Sequence, residues 1–254
     1  MPAAARKPES GLDCPGSRPW TSNFAISNRK EAKALADHRS VPWHVDKSRA
    51  VLLVIDMQND FVREGAPMEV PMARRFLPNM QRLVEACRAG GIPVIFTAHV
   101  LFDHYNVSPL ETAYQPKLKR TGMRWGTEAI EIVDELKPLP HEHIIYKHRY
   151  DAFYNTPLET IIRNIRGPGV ADTVIISGTV TNICCESTAR SAFMRDFKVA
   201  FISDANGGLD EASHQATLDI IGKVFGRVLS TAEILQEMGI GTEHARQGQG
   251  QHVN

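Results

Sequence analysis

Short apolar runs alternate with stretches of helical spacing from Arg49 to Leu235, and this alternation limits most strongly what the chain can fold into. Continuous runs rich in β-branched residues, such as 51–55, are typical of strands buried on both faces. Strands that alternate with helices form a parallel sheet with helices on both faces. The sequence therefore predicts an α/β fold with a six-stranded parallel sheet. The expected strands are Val51–Ile55, Ile92–Thr97, His143–Tyr146, Val174–Ile176, Val199–Ser203 and Arg227–Leu229.

The segments between strands carry further local expectations. The pattern predicts a helix over Glu128–Glu135 and a loop that ends in Asp204–Gly208. A long loop is expected over His99–Thr127, and loops of that length in compact domains are usually functional or disordered.

The two ends of the chain differ from its middle in composition. Residues 1–47 are rich in Pro, Ser, Ala and charge, which indicates an N-terminal arm before a domain over 48–240 and a disordered tail over 241–254. Trp20, Phe24 and Trp43 are apolar anchors in that arm, so part of it is expected to pack on a neighbouring subunit.

Composition narrows the class of protein. The 29 Lys plus Arg balance 29 Asp plus Glu, which argues against nucleic acid or an anionic membrane as a partner. The apolar runs are too short to span a bilayer and the N-terminus lacks a secretory core, so a soluble cytoplasmic protein is expected. Four cysteines (Cys14, Cys87, Cys184 and Cys185) make neither a disulfide framework nor a zinc motif, and reduced thiols are expected.

The stretch from Val174 to Ala192 joins a strand, a glycine turn and a helix start. Thr181 and Asn182 are good helix caps, which would place Cys184 in the first helical turn. Unpaired N–H groups and the helix dipole there would favour a thiolate and hold an oxyanion. The alternative is a small buried hydrophobe, and the stretch alone does not decide between Cys184 and Cys185.

Three reactive side chains follow three different strands. Asp56, Lys147 and Cys184 are each expected at the carboxyl edge of the sheet, where reactive groups gather in such folds. Taken singly, the aspartate could be a cap, the lysine a solvated charge and the cysteine a packing residue. Together they indicate nucleophilic attack on a carbonyl, with Asp56 transferring protons and Lys147 stabilising the thiolate.

Three motifs in order resemble the isochorismatase-like cysteine hydrolases, a superfamily that includes nicotinamidases, N-carbamoylsarcosine amidase, biuret hydrolases and ureidoacrylate amidohydrolases. The motifs are VLLVIDMQNDF, IIYKHRYDAFYNTPLETIIR and SGTVTNICCESTARSAF. The resemblance covers about 48–235 and implies a Rossmann-like, three-layer α/β/α fold with Asp56, Lys147 and Cys184 as the catalytic residues. Cys185 stands where relatives usually carry valine.

The resemblance also implies a mechanism. A cis peptide would join Thr179 to Val180, and the backbone amides of Val180 and Cys184 would form the oxyanion hole. Cys184 would attack an amide or ureido carbonyl, a thioester would form, and water would release the product. Some nicotinamidases bind a metal through Asp-x-His and a later His. This chain instead carries FTAHVLFDH (His99, Asp103 and His104), whose histidines are expected on the surface or facing substrate, so neither a metal nor a cofactor is expected.

The second and third motifs look closest to those of ureidoacrylate and related ureido hydrolases, so small ureido acids are the favoured substrates. Arg149 and Tyr150 are the expected anchors for a substrate carboxylate. Alternatively, Arg149 pairs with a carboxylate such as Asp151 or Glu186. Biuret is disfavoured because the helix ending at Lys223 lacks a glutamine at the position where biuret hydrolases carry one.

The sequence leaves open the roles of two aromatic residues and the bond that is cleaved. Phe61 and Trp125 could line the pocket or only pack. Isochorismatase-type cleavage of a vinyl ether or nicotinamidase activity is possible on the same fold, and a non-catalytic binding protein is a hypothesis from a different class. Because relatives are frequently dimers or tetramers, a homo-oligomer is expected.

Overall fold

The computed structural model describes residues 41–240, and six strands within that range form one sheet. The strands are β1 (Ala50–Ile55), β2 (Val94–His99), β3 (His143–Lys147), β4 (Thr173–Thr179), β5 (Lys198–Gly207) and β6 (Arg227–Leu229). Their order across the sheet is β3-β2-β1-β4-β5-β6, and every neighbouring pair is parallel. The α/β fold with a six-stranded parallel sheet is confirmed.

Helices connect the strands and cover both faces of the sheet. They are α1 (Asn59–Val62), α2 (Pro71–Ala89), α3 (Pro109–Tyr114), α4 (Leu158–Asn164), α5 (Glu186–Phe193), α6 (Glu211–Ile220) and α7 (Thr231–Glu237). A π-helical turn, Thr181–Cys185, leads into α5, and a second one, Ile221–Phe225, extends α6.

Side chains that alternate along β1 supply both hydrophobic cores. Leu52 and Val54 pack in the core that contains α2 and α7. Val51, Leu53 and Ile55 point to the opposite face, into the core that contains α4 and α5. A central strand buried on both faces explains why the run is continuously apolar rather than alternating.

Three local expectations are wrong. The helix expected over Glu128–Glu135 is two short 3₁₀ turns, Glu128–Ile130 and Asp134–Leu136, because Ile132 between them forms an antiparallel bridge with Gln58. The long loop His99–Thr127 contains α3 and a 3₁₀ turn at Pro116–Lys119.

The expected loop at Asp204–Gly208 is mostly strand, since β5 continues to Gly207. Asn206 pairs with Gly178 of β4, and its side-chain amide donates hydrogen bonds to the carbonyls of Ile176 (2.8 Å) and Ile202 (2.7 Å). These bonds hold the extended conformation in a sequence whose residue types favour a turn.

The first and last described segments meet at the amino-terminal edge of the sheet. Val45 is buried and donates its backbone N–H to Glu237 (2.6 Å). Arg227, the first residue of β6, holds Glu237 with two nitrogens and stacks on Trp43 at 5.2 Å. This part of the expected arm therefore packs on the domain itself.

The remaining anchors expected in the arm, Trp20 and Phe24, lie outside the described residues, as does the tail expected over 241–254. Within residues 41–240, no helix is long and apolar enough to cross a membrane.

The order in which the strands are added to the sheet reverses between β1 and β4, and the crevice at such a point is where open α/β sheets usually bind ligands. Gly178 lies opposite Ile55 at the end of this strand pair, with a φ of +127°. A side-chain carbon at Gly178 would overlap the Ile55 backbone, so only glycine lets the two strand ends come this close. The close approach brings Asp56 beside the turn that carries Cys184.

Candidate active site

Asp56 follows β1 directly and is fully buried. Its φ of +48° is unusual for a residue with a side chain and turns the chain sharply at the strand end. Thr97 of β2 fixes the carboxylate by donating its hydroxyl to Oδ1 (2.6 Å), and the Asp56 backbone N–H is held by the same residue. The carboxylate therefore has a defined direction, with Oδ2 left for another partner.

Lys147, the last residue of β3, supplies that partner. Its Nζ lies 2.7 Å from Asp56 Oδ2, and both side chains are fully buried. The ammonium also donates to the Arg149 carbonyl at 3.0 Å. Burial alone would lower the pKa of Lys147, but the nearby Asp56 carboxylate and the Cys184 sulfur raise it, so the side chain stays an ammonium.

Cys184 lies in the π-helical turn after β4 and contacts both charged groups. Its sulfur, an Asp56 oxygen and a ring nitrogen of His99 all lie within 4.8 Å of one another. Both cysteines border the apolar core, but of the two it is Cys184 that hydrogen-bonds Asp56 and Lys147, so the structure places Cys184, rather than its fully buried neighbour, beside the polar groups.

The expectation that the turn favours a thiolate at Cys184 is wrong for the resting protein. Burial raises the pKa of the Cys184 thiol; the Lys147 charge opposes this effect, and the Asp56 carboxylate adds to it. The side chain is only 3% exposed, and hydration that would stabilise a thiolate is largely absent. The resting group is therefore a thiol hydrogen-bonded to Asp56, which is placed to accept its proton.

The turn between β4 and α5 differs in detail from a capped helix start. Neither Thr181 nor Asn182 caps it with a side chain; the preceding residue, Val180, accepts backbone hydrogen bonds from Ile183 (3.0 Å) and Cys185 (3.2 Å) through its carbonyl. The peptide bond between Thr179 and Val180 is cis, and a backbone hydrogen bond from Val180 reaches the Cys184 sulfur.

We expect activity to stay flat from pH 7 to about 10, and stability to fall above about pH 8.5, where the unfolded cysteine loses its proton while burial keeps the Cys184 thiol protonated in the folded protein. The Lys147 pKa is raised on folding, so its stabilising contribution is complete below the unfolded pKa of about 10.4 and is lost only as the pH passes the folded value. Burial and the charges of Glu111 and Cys184 raise the pKa of Tyr150 to about 12, so its phenol also stays neutral. Measuring kcat/KM and urea midpoints across this range checks the expectation, and a loss of kcat/KM centred near pH 8 would contradict it.

Two of the expected substrate contacts occupy different environments. Phe61 of α1 is 4% exposed and packs in the core beside α2. Trp125 is half exposed, contacts Tyr146 edge-on at 5.0 Å and Phe102 at 5.7 Å, and lines a groove of about 680 Å³ with Tyr146 and Leu139. This groove is lined by residues on and around β3, and Cys184 is not among them.

Arg149 and Tyr150 both follow Lys147 but are engaged differently. The Arg149 guanidinium donates to the Val107 and His148 carbonyls and to the Ser108 hydroxyl. Tyr150 is 37% exposed, and its ring lies 6.0 Å from that of His99. Negative charge at Cys184 is one of the causes that raise the pKa of Tyr150.

The alternative partners expected for Arg149 are wrong. Asp151 accepts from Ser191 (2.8 Å), and Glu186 is held by Arg190 (2.7 Å). Among the described residues Arg149 forms no ion pair, and its contacts tie the segment around Val107 to the end of β3.

The FTAHVLFDH segment also departs from expectation. His99 is the last residue of β2 and is 1% exposed, so of the two positions expected for it the surface is wrong and the position facing substrate stays a prediction, whereas Asp103 and His104 are exposed. Asp56, His99 and Cys184 form a donor set of the kind that binds metals. The Lys147 ammonium lies among them, 2.7 Å from Asp56 and 3.5 Å from the His99 ring, and this set therefore already surrounds a positive charge.

Sequence reasoning missed Thr97 and Glu111 as neighbours of the reactive groups. Thr97 could have been found, because the residues that precede His99 on β2 face the end of β1 in a parallel sheet. Glu111 reaches His99 from α3, inside the segment expected to be a loop, and no local pattern indicates that contact.

Known proteins similar to this chain in sequence or fold include several enzymes. The chain resembles Enterobactin synthase component B of Escherichia coli K12 (30% identity, covering 81% of this chain and 70% of the relative). It also resembles Nicotinamidase 3 of Arabidopsis thaliana (35%; 66% and 78%) and ureidoacrylate amidohydrolase RutB of Rhizobium rhizogenes (30%; 75% and 83%). A cysteine hydrolase from Pseudomonas syringae pv. phaseolicola superposes with a TM-score of 0.73 at 29% identity, covering 78% of this chain and 96% of that one. The fold is that of the isochorismatase-like α/β hydrolases.

The isochorismatase domain model matches residues 50–233, which is most of the chain. The chain therefore belongs to the isochorismatase family, whose members are hydrolases. The resemblance inferred from the three motifs is confirmed.

Proposed function

We propose that this protein is a cysteine-dependent amidohydrolase that cleaves a C–N bond of a small ureido or amide substrate through a thioester, with ureidoacrylate-like ureido acids favoured. One observation carries the proposal: a buried carboxylate, an ammonium and a thiol from the ends of β1, β3 and β4 are in mutual contact. Amidohydrolase names among the relatives support the reaction class.

In the proposed acylation step, Cys184 is the nucleophile and Asp56 transfers the proton. The Cys184 proton passes to Asp56 as sulfur bonds to the substrate carbonyl carbon. The N–H groups of Val180 and Cys184 bind the resulting oxyanion. When the C–N bond breaks, Asp56 returns the proton to the leaving nitrogen, which departs as ammonia from a terminal ureido or primary amide group.

Deacylation reverses the same transfers. Asp56 takes a proton from water as the oxygen attacks the thioester carbon, the C–S bond breaks, and the proton returns to sulfur. The product is a carbamate from a ureido substrate or a carboxylic acid from an amide. Throughout, Lys147 remains an ammonium and stabilises the negative charge shared by Asp56 and Cys184.

Nicotinamide-like primary amides are the second candidate substrate class, because Nicotinamidase 3 is 35% identical over 172 residues. Ammonia release from a panel of ureido acids, neutral ureides, primary amides including nicotinamide, and isochorismate tests the proposal, with isochorismate followed by its own loss. We expect the highest kcat/KM for a ureido acid. Turnover of isochorismate alone would contradict the proposal.

A further inference from the structure

His99 and Glu111 form a buried pair directly behind the Lys147 ammonium. The His99 Nε2 atom lies 3.1 Å from Glu111 Oε2, and the two side chains are 1% and 7% exposed. The second ring nitrogen, Nδ1, lies 3.5 Å from Lys147 Nζ. The pair therefore extends the line of charges from Asp56 through Lys147 to α3.

The ring of His99 is not needed to hold its strand. The backbone of His99 is fixed separately by Gln58, whose side chain accepts from the His99 N–H (2.8 Å) and donates to the His99 carbonyl (3.0 Å). A buried carboxylate and imidazole cost free energy unless they are paired, so their contact with Lys147 calls for a role of its own.

The chemistry of the three groups fixes the histidine tautomer. An ammonium can only donate, so the nitrogen that faces Lys147 must be the acceptor and Nε2 must carry the ring proton. Burial would raise the pKa of Glu111, but the hydrogen bond from His99, with help from Ser108 and Lys147, lowers it. An ionised Glu111 accepts a hydrogen bond from the Nε2–H group and thereby keeps the lone pair of Nδ1 directed at Lys147.

We infer that the Glu111–His99 pair is a positioning device that orients the Lys147 ammonium toward Asp56 and Cys184. Asp56 Oδ2, the Arg149 carbonyl and His99 Nδ1 then lie around Nζ, together with the Cys184 sulfur, and restrict the directions in which the ammonium can donate. Since acylation moves negative charge between sulfur and carboxylate, a fixed ammonium lowers the cost of that movement. The inference adds to the proposed function and depends on it only in its kinetic test.

The kinetic test compares His99→Gln and Glu111→Gln with a matched control, His148→Gln. The control ring lies one residue from Lys147 but turns to the Val100 carbonyl (3.1 Å) and to Phe102. We expect both variants of the pair to lower kcat about 10- to 100-fold, with KM changed less than about threefold, and the control to keep wild-type values.

The pH profile separates positioning from a merely structural role. The titratable groups that surround the His99 ring are Glu111, Lys147, Tyr150, Asp56 and Cys184. A carboxylate favours the protonated forms of its neighbours, so its removal in Glu111→Gln should move the acidic limb of kcat/KM to lower pH. In His148→Gln the limb should stay in place.

A spectroscopic measurement decides the inference without any substrate. Long-range ¹H–¹⁵N spectra of the wild-type imidazoles should show His99 protonated on Nε2 alone at neutral pH, with His99→Gln assigning the signal. A proton on Nδ1, or on both nitrogens, would overturn the inference, as would wild-type kcat and pH profile in both variants. If wild-type protein turns over none of the panel, the proposed function fails, and the spectrum still decides the tautomer and with it the positioning role.

Discussion

Replacing Cys184 with alanine is expected to reduce ammonia release by about 10⁴-fold or more, because within residues 41–240 no other group in contact with Asp56 and Lys147 can form the thioester. The loss should be in kcat, since the alanine removes a bond to the reacting carbon and only a small part of the binding surface. Intact-mass measurement of quenched reactions should detect an acyl adduct on the wild-type protein and none on the variant.

Cys185→Ala is the matched control for this experiment. The two thiols are adjacent in sequence and border the same apolar core, but Cys185 makes none of the hydrogen bonds to Asp56 and Lys147 that Cys184 makes. We expect Cys185→Ala to keep kcat within about threefold of the wild type and to lose about 1 kcal/mol of stability from the small cavity. Ammonia release that survives in Cys184→Ala but not in Cys185→Ala would show that Cys185, and not Cys184, is the nucleophile. Survival in both would remove the thioester mechanism.

Lys147→Met is expected to lower the free energy of unfolding by about 3 to 5 kcal/mol and to abolish turnover. The methionine fills a similar volume but leaves the Asp56 carboxylate buried without its ammonium, and both side chains are fully excluded from solvent. Urea denaturation of the wild type and the variant measures the change.

The double variant Asp56→Asn, Lys147→Met tests whether the loss comes from an uncompensated charge. Replacing both members of a buried pair is often close to neutral, so we expect the double variant to be more stable than Lys147→Met while remaining inactive. Equal stability of Lys147→Met and the wild type, or a double variant less stable than Lys147→Met, would contradict the ion pair as described.

Patterns that depend on the parallel sheet itself could be predicted from the sequence. Each predicted strand lies within or overlaps an observed one, because burial on both faces forces a continuous apolar run on a central strand. The meeting of Asp56, Lys147 and Cys184 followed from one rule, that parallel strands bring their carboxyl ends to the same edge.

What could not be predicted depends on partners distant in sequence. The antiparallel bridge between Gln58 and Ile132 divides an expected helix, and Asn206 extends β5 through bonds to β4 and to its own strand. The protonation of Cys184 was misjudged for the same reason. The local turn favours a thiolate, whereas the surrounding fold buries the sulfur and places a carboxylate against it.

The contact of Trp43 and Val45 with Arg227 and Glu237 has a practical consequence for handling the protein. Because residues 41–240 begin and end at the amino-terminal edge of the sheet, a fusion partner or surface linker joined directly to Val41 or Ile240 would start on the side opposite the Cys184 turn. Protein immobilised or tagged at those two residues should therefore keep its reactive edge open to solutes. Truncation beyond Trp43, by contrast, would strip the cover from the Arg227 guanidinium.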